Sequence, residues 1–109
     1  MITLIEDAET TGVSENTTIV IGSDEGNHIH SFQIVMNGSP SALIVDIEAT
    51  ITGTDFTCIA RHVLSGEELD AGTALFHVTS KPVPVIRANI TKLEGGVSPQ
   101  VSVYYFKGK

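Results

Sequence analysis

From Ile86 to Thr91 the chain alternates apolar and polar residues, Ile-Arg-Ala-Asn-Ile-Thr, and then breaks at Glu94-Gly95-Gly96. Val101-Ser102-Val103-Tyr104-Tyr105-Phe106 follows as a second β-rich run. Alternation at period two sets one side of a strand against a core and the other in water. The same pattern recurs upstream, and no helical period displaces it. It predicts eight strands, at about 2–5, 17–21, 29–36, 42–52, 56–63, 73–79, 84–91 and 100–106. In the longest, Leu43, Val45, Ile47, Ala49 and Ile51 face one way, while Asp46, Glu48, Thr50 and Thr52 face the other. Phe32, Ile34 and Met36 form a matching apolar row before it, and Ile86, Ala88 and Ile90 another after it. A slip of one residue would turn each whole row to solvent, so pairing is strongly specified. Tryptophan is absent, so Phe32, Phe56, Phe76 and Phe106 are expected to supply the large core volumes.

Turn chemistry separates these runs. Residues 22–27 read as a loop, Asn37-Gly38-Ser39-Pro40-Ser41 as a short hairpin connection, and Gly53-Thr54-Asp55 as another turn. Ser80-Lys81-Pro82-Val83-Pro84 is forced extended, because each proline fixes φ and restricts the residue before it. Ser65 to Gly72 begins like a helix N-cap and ends in glycine, but it is short and is read as a structured loop. Residues 1–16 are acidic and mostly unpatterned after the opening apolar residues, and are assigned as an N-terminal arm or loop that carries an interface. Residues 17–109 then form a single domain. The fold class is all-β: an antiparallel β-sandwich of seven to nine strands, jelly-roll or immunoglobulin-like, with almost no helix.

Composition narrows the function. At 109 residues the chain is one domain, long enough to bury a core without metal or disulfide staples. Six basic against thirteen acidic residues give a net charge of −7, which argues against nucleic-acid and anionic-membrane partners. Cys58 is the only cysteine and is expected to be a small buried hydrophobe in a strand. The start, Met1-Ile2-Thr3-Leu4-Ile5-Glu6, lacks a secretory signal pattern, and no stretch has the length of a membrane span. The expectation is a protein made in the cytoplasm in soluble form.

Candidate chemistry is sparse. His28 and His30 share a strand face, with Asp24 and Glu25 close in sequence and His62 and His77 available from other strands. No metal-binding spacing supports them, and a plain solvent-facing pair is the expectation. Asp46 and Glu48 also share a face, as paired acid–base carboxylates would, but they lie midway along a regular strand and are read as a solvated sheet surface. Arg87 projects from the polar side of its strand, to anchor a partner carboxylate or pair with a cross-strand acid. No nucleophile elbow, phosphate loop or dinucleotide fingerprint occurs. No catalytic, metal or cofactor residue is assigned.

The words Ser31-Phe32-Gln33-Ile34-Val35-Met36, Ala42 to Thr50, Gly53-Thr54-Asp55-Phe56-Thr57, Ala71 to Val78, Val85 to Ile90 and Val101 to Tyr105 together resemble small tailed-phage virion proteins. These are β-sandwich head proteins of the decoration, cement or staple type. The resemblance implies a non-enzymatic structural protein on the capsid surface. It would bind the outside of the major capsid protein lattice as repeated copies and associate as a dimer or trimer. Partner contacts are then expected at Glu6, Asp7, Glu9, Asp46, Glu48, Arg87 and Tyr104. The same words also resemble discoidin-type carbohydrate-binding modules, with Phe56 where a tryptophan is usual. That alternative implies a glycan-reading module on a tail or fibre.

Overall fold

The computed structural model describes residues 1–14, 17–18, 29–79 and 83–108. Among the described residues nine strands and one helix follow in order: β1 Ile2–Ala8, β2 Gly12–Val13, β3 Thr17–Thr18, β4 Ile29–Asn37, β5 Ala42–Thr50, β6 Thr57–Val63, α1 Gly66–Ala71, β7 Thr73–Thr79, β8 Val85–Glu94 and β9 Gln100–Gly108. The strands form two antiparallel sheets. One runs β1-β9-β4-β7; the other runs β2-β8-β5-β6, with β3 also pairing with β8. Counting β2 and β3 as one interrupted edge strand, the pairs nest. First pairs with last, β2 and β3 with β8, β4 with β7, and β5 with β6. This is a long hairpin rolled into two sheets, the jelly roll. The expected antiparallel sandwich is present. An immunoglobulin arrangement would separate the first and last strands into different sheets.

β1 and β4 to β9 form where strands are predicted, β2 is not among the predicted strands, and the rows meet between the sheets. Phe32, Ile34 and Met36 of β4 and Val101, Val103 and Tyr105 of β9 are buried from one side. Leu43, Val45, Ile47 and Ala49 of β5 and Ile86, Ala88 and Ile90 of β8 are buried from the other. Ile51 does not join its row: β5 ends at Thr50 and Ile51 is 79% exposed in the hairpin turn. Of the four phenylalanines only Phe32 is fully buried. Phe56 and Phe76 are half-buried and Phe106 is exposed, because the parity of Val101 and Val103 carries Tyr105 inward and Phe106 outward.

Asn37 to Ser41 is not a hairpin. β4 and β5 belong to different sheets, and this segment crosses the end of the sandwich. There it packs on the β8–β9 crossing so closely that both chains use glycine. Gly38 (φ 81°) and Gly96 (φ 77°) are left-handed, a Cβ on Gly96 would collide with the Gly38 carbonyl, and the Val97 N–H donates to that same oxygen at 2.9 Å. The segment read as an acidic arm is largely part of the fold. β1 pairs with β9 and buries Leu4 and Ile5, and the Ser14 N–H donates to the Ala88 carbonyl at 2.8 Å beyond β2. Its apolar residues are few but sit at the rolled-up edge, where a sheet supplies the missing partners. Ser65 to Gly72 is helical, not a loop. Ser65 caps Glu68, Glu68 caps Ser65 in return, and left-handed Gly72 ends the turn. The loop expected at 22–27, the end of the strand expected at 17–21 and the Ser80–Pro82 link lie outside the described residues.

Candidate docking faces

The outer faces of the two sheets differ in chemistry. On the five-stranded sheet, Asp46 of β5 stands between Arg61 of β6 and Asn89 of β8, and Glu48 stands between Cys58 and Arg87. Arg61 grips Asp46 with Nε to Oδ1 at 2.7 Å and Nη2 to Oδ2 at 2.8 Å. Arg87 donates Nε to Glu48 Oε1 at 2.6 Å, and Asn89 Nδ2 donates to Oε2 at 3.2 Å. The Arg87 guanidinium also lies 3.8 Å above the Phe56 ring centre. This face is not the freely solvated surface expected. Asp46 is 3% exposed, with the long Arg61 side chain from the neighbouring strand held against its carboxylate. Hydrogen bonding to Asp46, and next its charge, push the Arg61 guanidinium above its ordinary value. A carboxylate held in a two-pronged arginine contact is poorly placed to exchange a proton with a substrate.

A bulge decides who joins this ladder. Ile47 opposes Ala60 while Glu48 opposes Cys58, so one residue of β6 is skipped and the alternation reverses there. Cys58 and Arg61, three apart, therefore share the outer face. Cys58 is exposed, not buried as expected, with Sγ donating to the Ala60 carbonyl at 3.4 Å. Arg61 is the functional side chain the sequence reading missed. Nothing short of the bulge position reveals its orientation.

Among the described residues the histidines gather no metal-binding cluster. His28, Asp24 and Glu25 lie outside the described residues. His30 points into the core, not to solvent, with Nδ1 2.8 Å from the Tyr105 hydroxyl. His62 stacks flat on Phe76 at 4.7 Å and places Nε2 3.0 and 3.1 Å from the two Glu68 carboxylate oxygens. His77 meets Ser31 Oγ at 2.8 Å. Among the described residues no three His, Cys, Asp or Glu side chains gather as a metal site would require.

The outer face of the four-stranded sheet has the opposite character. Reading across it, Thr3, Tyr104, Gln33 and Leu75 form one row, Phe106, Ser31 and His77 the next, and Ser102, Val35 and Thr73 another. None of these positions is Asp, Glu, Lys or Arg, although Asp7 of β1 brings a carboxylate to the last row, where its Oδ1 accepts from Ser102 Oγ at 3.4 Å. Leu75 and Phe106 are 60% and 61% exposed. With Met1, Ser31, Gln33 and Tyr104 they line a groove of about 220 Å³. The signal was present in the sequence: the polar half of each alternation in β4, β7 and β9 carries hydroxyls, amides and aromatics but no formal charge.

The expected contact residues therefore fall in three places. Asp46, Glu48 and Arg87 come together on the five-stranded sheet. Tyr104 lies on the other outer face. Glu6, Asp7 and Glu9 lie exposed at the β1 margin, where Asp7 (φ 49°) donates its N–H to Ser102 Oγ at 3.0 Å. No protein-family model, curated protein or solved structure matches this chain.

Proposed function

We propose that this chain is a phage virion structural protein that binds the outside of the major capsid protein lattice as repeated copies and stabilises the head. The observation that supports this is the division of its surface. Among the described residues, the rows through Gln33 and Ser31 on one broad face carry no Asp, Glu, Lys or Arg and expose Leu75 and Phe106, the composition of a protein–protein contact. The Asp7 carboxylate reaches this face only at the Ser102 row. The other is charged but neutralises itself through Asp46–Arg61 and Glu48–Arg87. Such a molecule works through surfaces and needs no reacting group. Many weak symmetric contacts add up on a lattice, and binding to the assembled state stabilises it by mass action. The protein would be made in the host cytoplasm and reside on the capsid surface.

Imaging of virions with and without this protein tests the reading. Density lost from the capsid shell, together with heads that rupture at lower temperature, is the expected result. Density lost from the tail tip alone would overturn it.

A second reading, a glycan-binding module, draws on Tyr104 and Phe106. They are two apart on β9, share the groove, and have Gln33 and Ser31 beside them. Aromatic rings flanked by neutral hydrogen-bonding groups suit a sugar ring. Binding of neutral oligosaccharides that is lost in Tyr104→Ala would favour it over the capsid reading.

A further inference from the structure

We infer that the rows through Gln33 and Ser31, on the outer face of the four-stranded sheet, are covered by a second copy of this chain, in a twofold dimer centred on Phe106. This concerns what covers the face and does not depend on the virion reading, under which the dimer would meet the capsid through its remaining surfaces.

Charge selects the occupant. Each copy carries a net charge of −7, so two copies meeting through ordinary surface bring carboxylates together. The β1 margin exposes Glu6, Asp7 and Glu9, with the Asp7 carboxylate at Ser102 on the edge of the face, and the outer face of the five-stranded sheet has its charges engaged with one another. On the rows through Gln33 and Ser31 there is no acid to repel a twin and no lysine or arginine to attract an acidic stranger. A neutral face on a strongly acidic protein is where like can approach like.

Shape agrees with charge. Phe106 both walls the groove and projects from it, 61% exposed, beside Leu75 and Tyr104. A projecting ring next to its own recess is self-complementary under a twofold axis: each Phe106 can lie against Leu75 and Tyr104 of the opposite copy. The molecule measures 46 × 26 × 19 Å, so its broad face is large enough for the roughly 800 Å² per partner of a standard interface. Elsewhere the exposed apolar residues Ile2, Val13, Ile51, Val63 and Val97 lie on separate segments, two of them in turns.

Sedimentation of the intact chain at about 100 µM, well above a micromolar dissociation constant, tests this. A dimer is expected. Phe106→Glu and Leu75→Glu should each raise the dissociation constant about thirtyfold or more, with unchanged circular dichroism because both side chains are exposed. Ile51→Glu should leave the dimer intact. A monomer at that concentration overturns the inference. So does a dimer that survives Phe106→Glu, since association through the free edge of β7 would not involve β9, two strands away in the sheet. Binding of a neutral oligosaccharide by a chain that stays monomeric gives the groove to a sugar and also overturns it.

Discussion

Arg61 is 59% exposed along its side chain while Asp46, the carboxylate it holds in two hydrogen bonds, is 4% exposed. The pair is lopsided: the cation is in water and the anion is roofed by the cation's own stem. Removing the roof and removing the charge therefore have different consequences. Arg61→Leu keeps Asp46 covered without a counter-charge, whereas Arg61→Ala lets water reach it. Urea denaturation should show Arg61→Leu as the less stable of the two, with part of the loss recovered in Asp46→Asn/Arg61→Leu. Equal midpoints would mean that Asp46 is already hydrated.

Glu68 links the helix to the sandwich. The Ser65 N–H, and secondarily His62, hold its carboxyl below the ordinary carboxylate value. A folded value below the unfolded one adds stability that is complete above the ordinary range, about 4 to 4.5, and is lost as pH falls through the folded value. The stability difference between the native chain and Glu68→Gln should thus narrow when urea midpoints are followed from pH 7 down to about 3. Ser65→Ala, which removes the other half of the capping box, should cost about 1 kcal/mol at neutral pH.

Burial pushes the Tyr105 hydroxyl up to about 12. Its folded value is above the unfolded one, so its contribution is complete below about 10 and is lost as pH rises toward the folded value. Alkaline denaturation should steepen above about pH 10 in the native chain more than in Tyr105→Phe. At neutral pH the same substitution removes the hydroxyl that meets His30 Nδ1 and should cost about 1–2 kcal/mol. An unchanged midpoint at both pH values would show that this contact contributes nothing.

Two glycines separate strain from collision. Gly53 (φ 93°) has open space where a Cβ would go, while Gly96 (φ 77°) has the Gly38 and Ser39 carbonyls there. Gly53→Ala should cost about 1–2 kcal/mol, the penalty of a left-handed residue. Gly96→Ala should cost distinctly more, because backbone atoms of two crossings must also move. Thermal melts of the two variants give the order directly.

Much of this architecture is written in short-range pattern. The rows Phe32–Met36, Leu43–Ala49 and Ile86–Ile90 are legible because a pleated strand alternates its side chains whatever it pairs with. The neutrality of the polar positions in β4, β7 and β9 is equally legible, although it identifies a face only once those strands are known to be neighbours. Residues without such a pattern misled. The apolar content of 1–16 is slight, yet Leu4 and Ile5 are core residues because β9 lies alongside them. Glycine and proline in 37–41 indicate a reversal but do not distinguish a hairpin from a crossing between sheets.

By itself the sequence determined the class: a single β-sandwich with its inward rows, and no catalytic motif. Local steric periodicity is enough for that. The tertiary structure decided the nesting of strands into a jelly roll, since pairing depends on which rows close over one another across the core. It also decided the partners of Asp46 and Glu48. A bulge of one residue in β6 turns Arg61 and Cys58 onto their face, and neither residue's own neighbours in sequence specify that turn. It set Tyr105 inside and Phe106 outside, in one groove with Leu75, 31 positions earlier in the chain. A docking face is a property of several strands at once, so it exists only after the chain has folded.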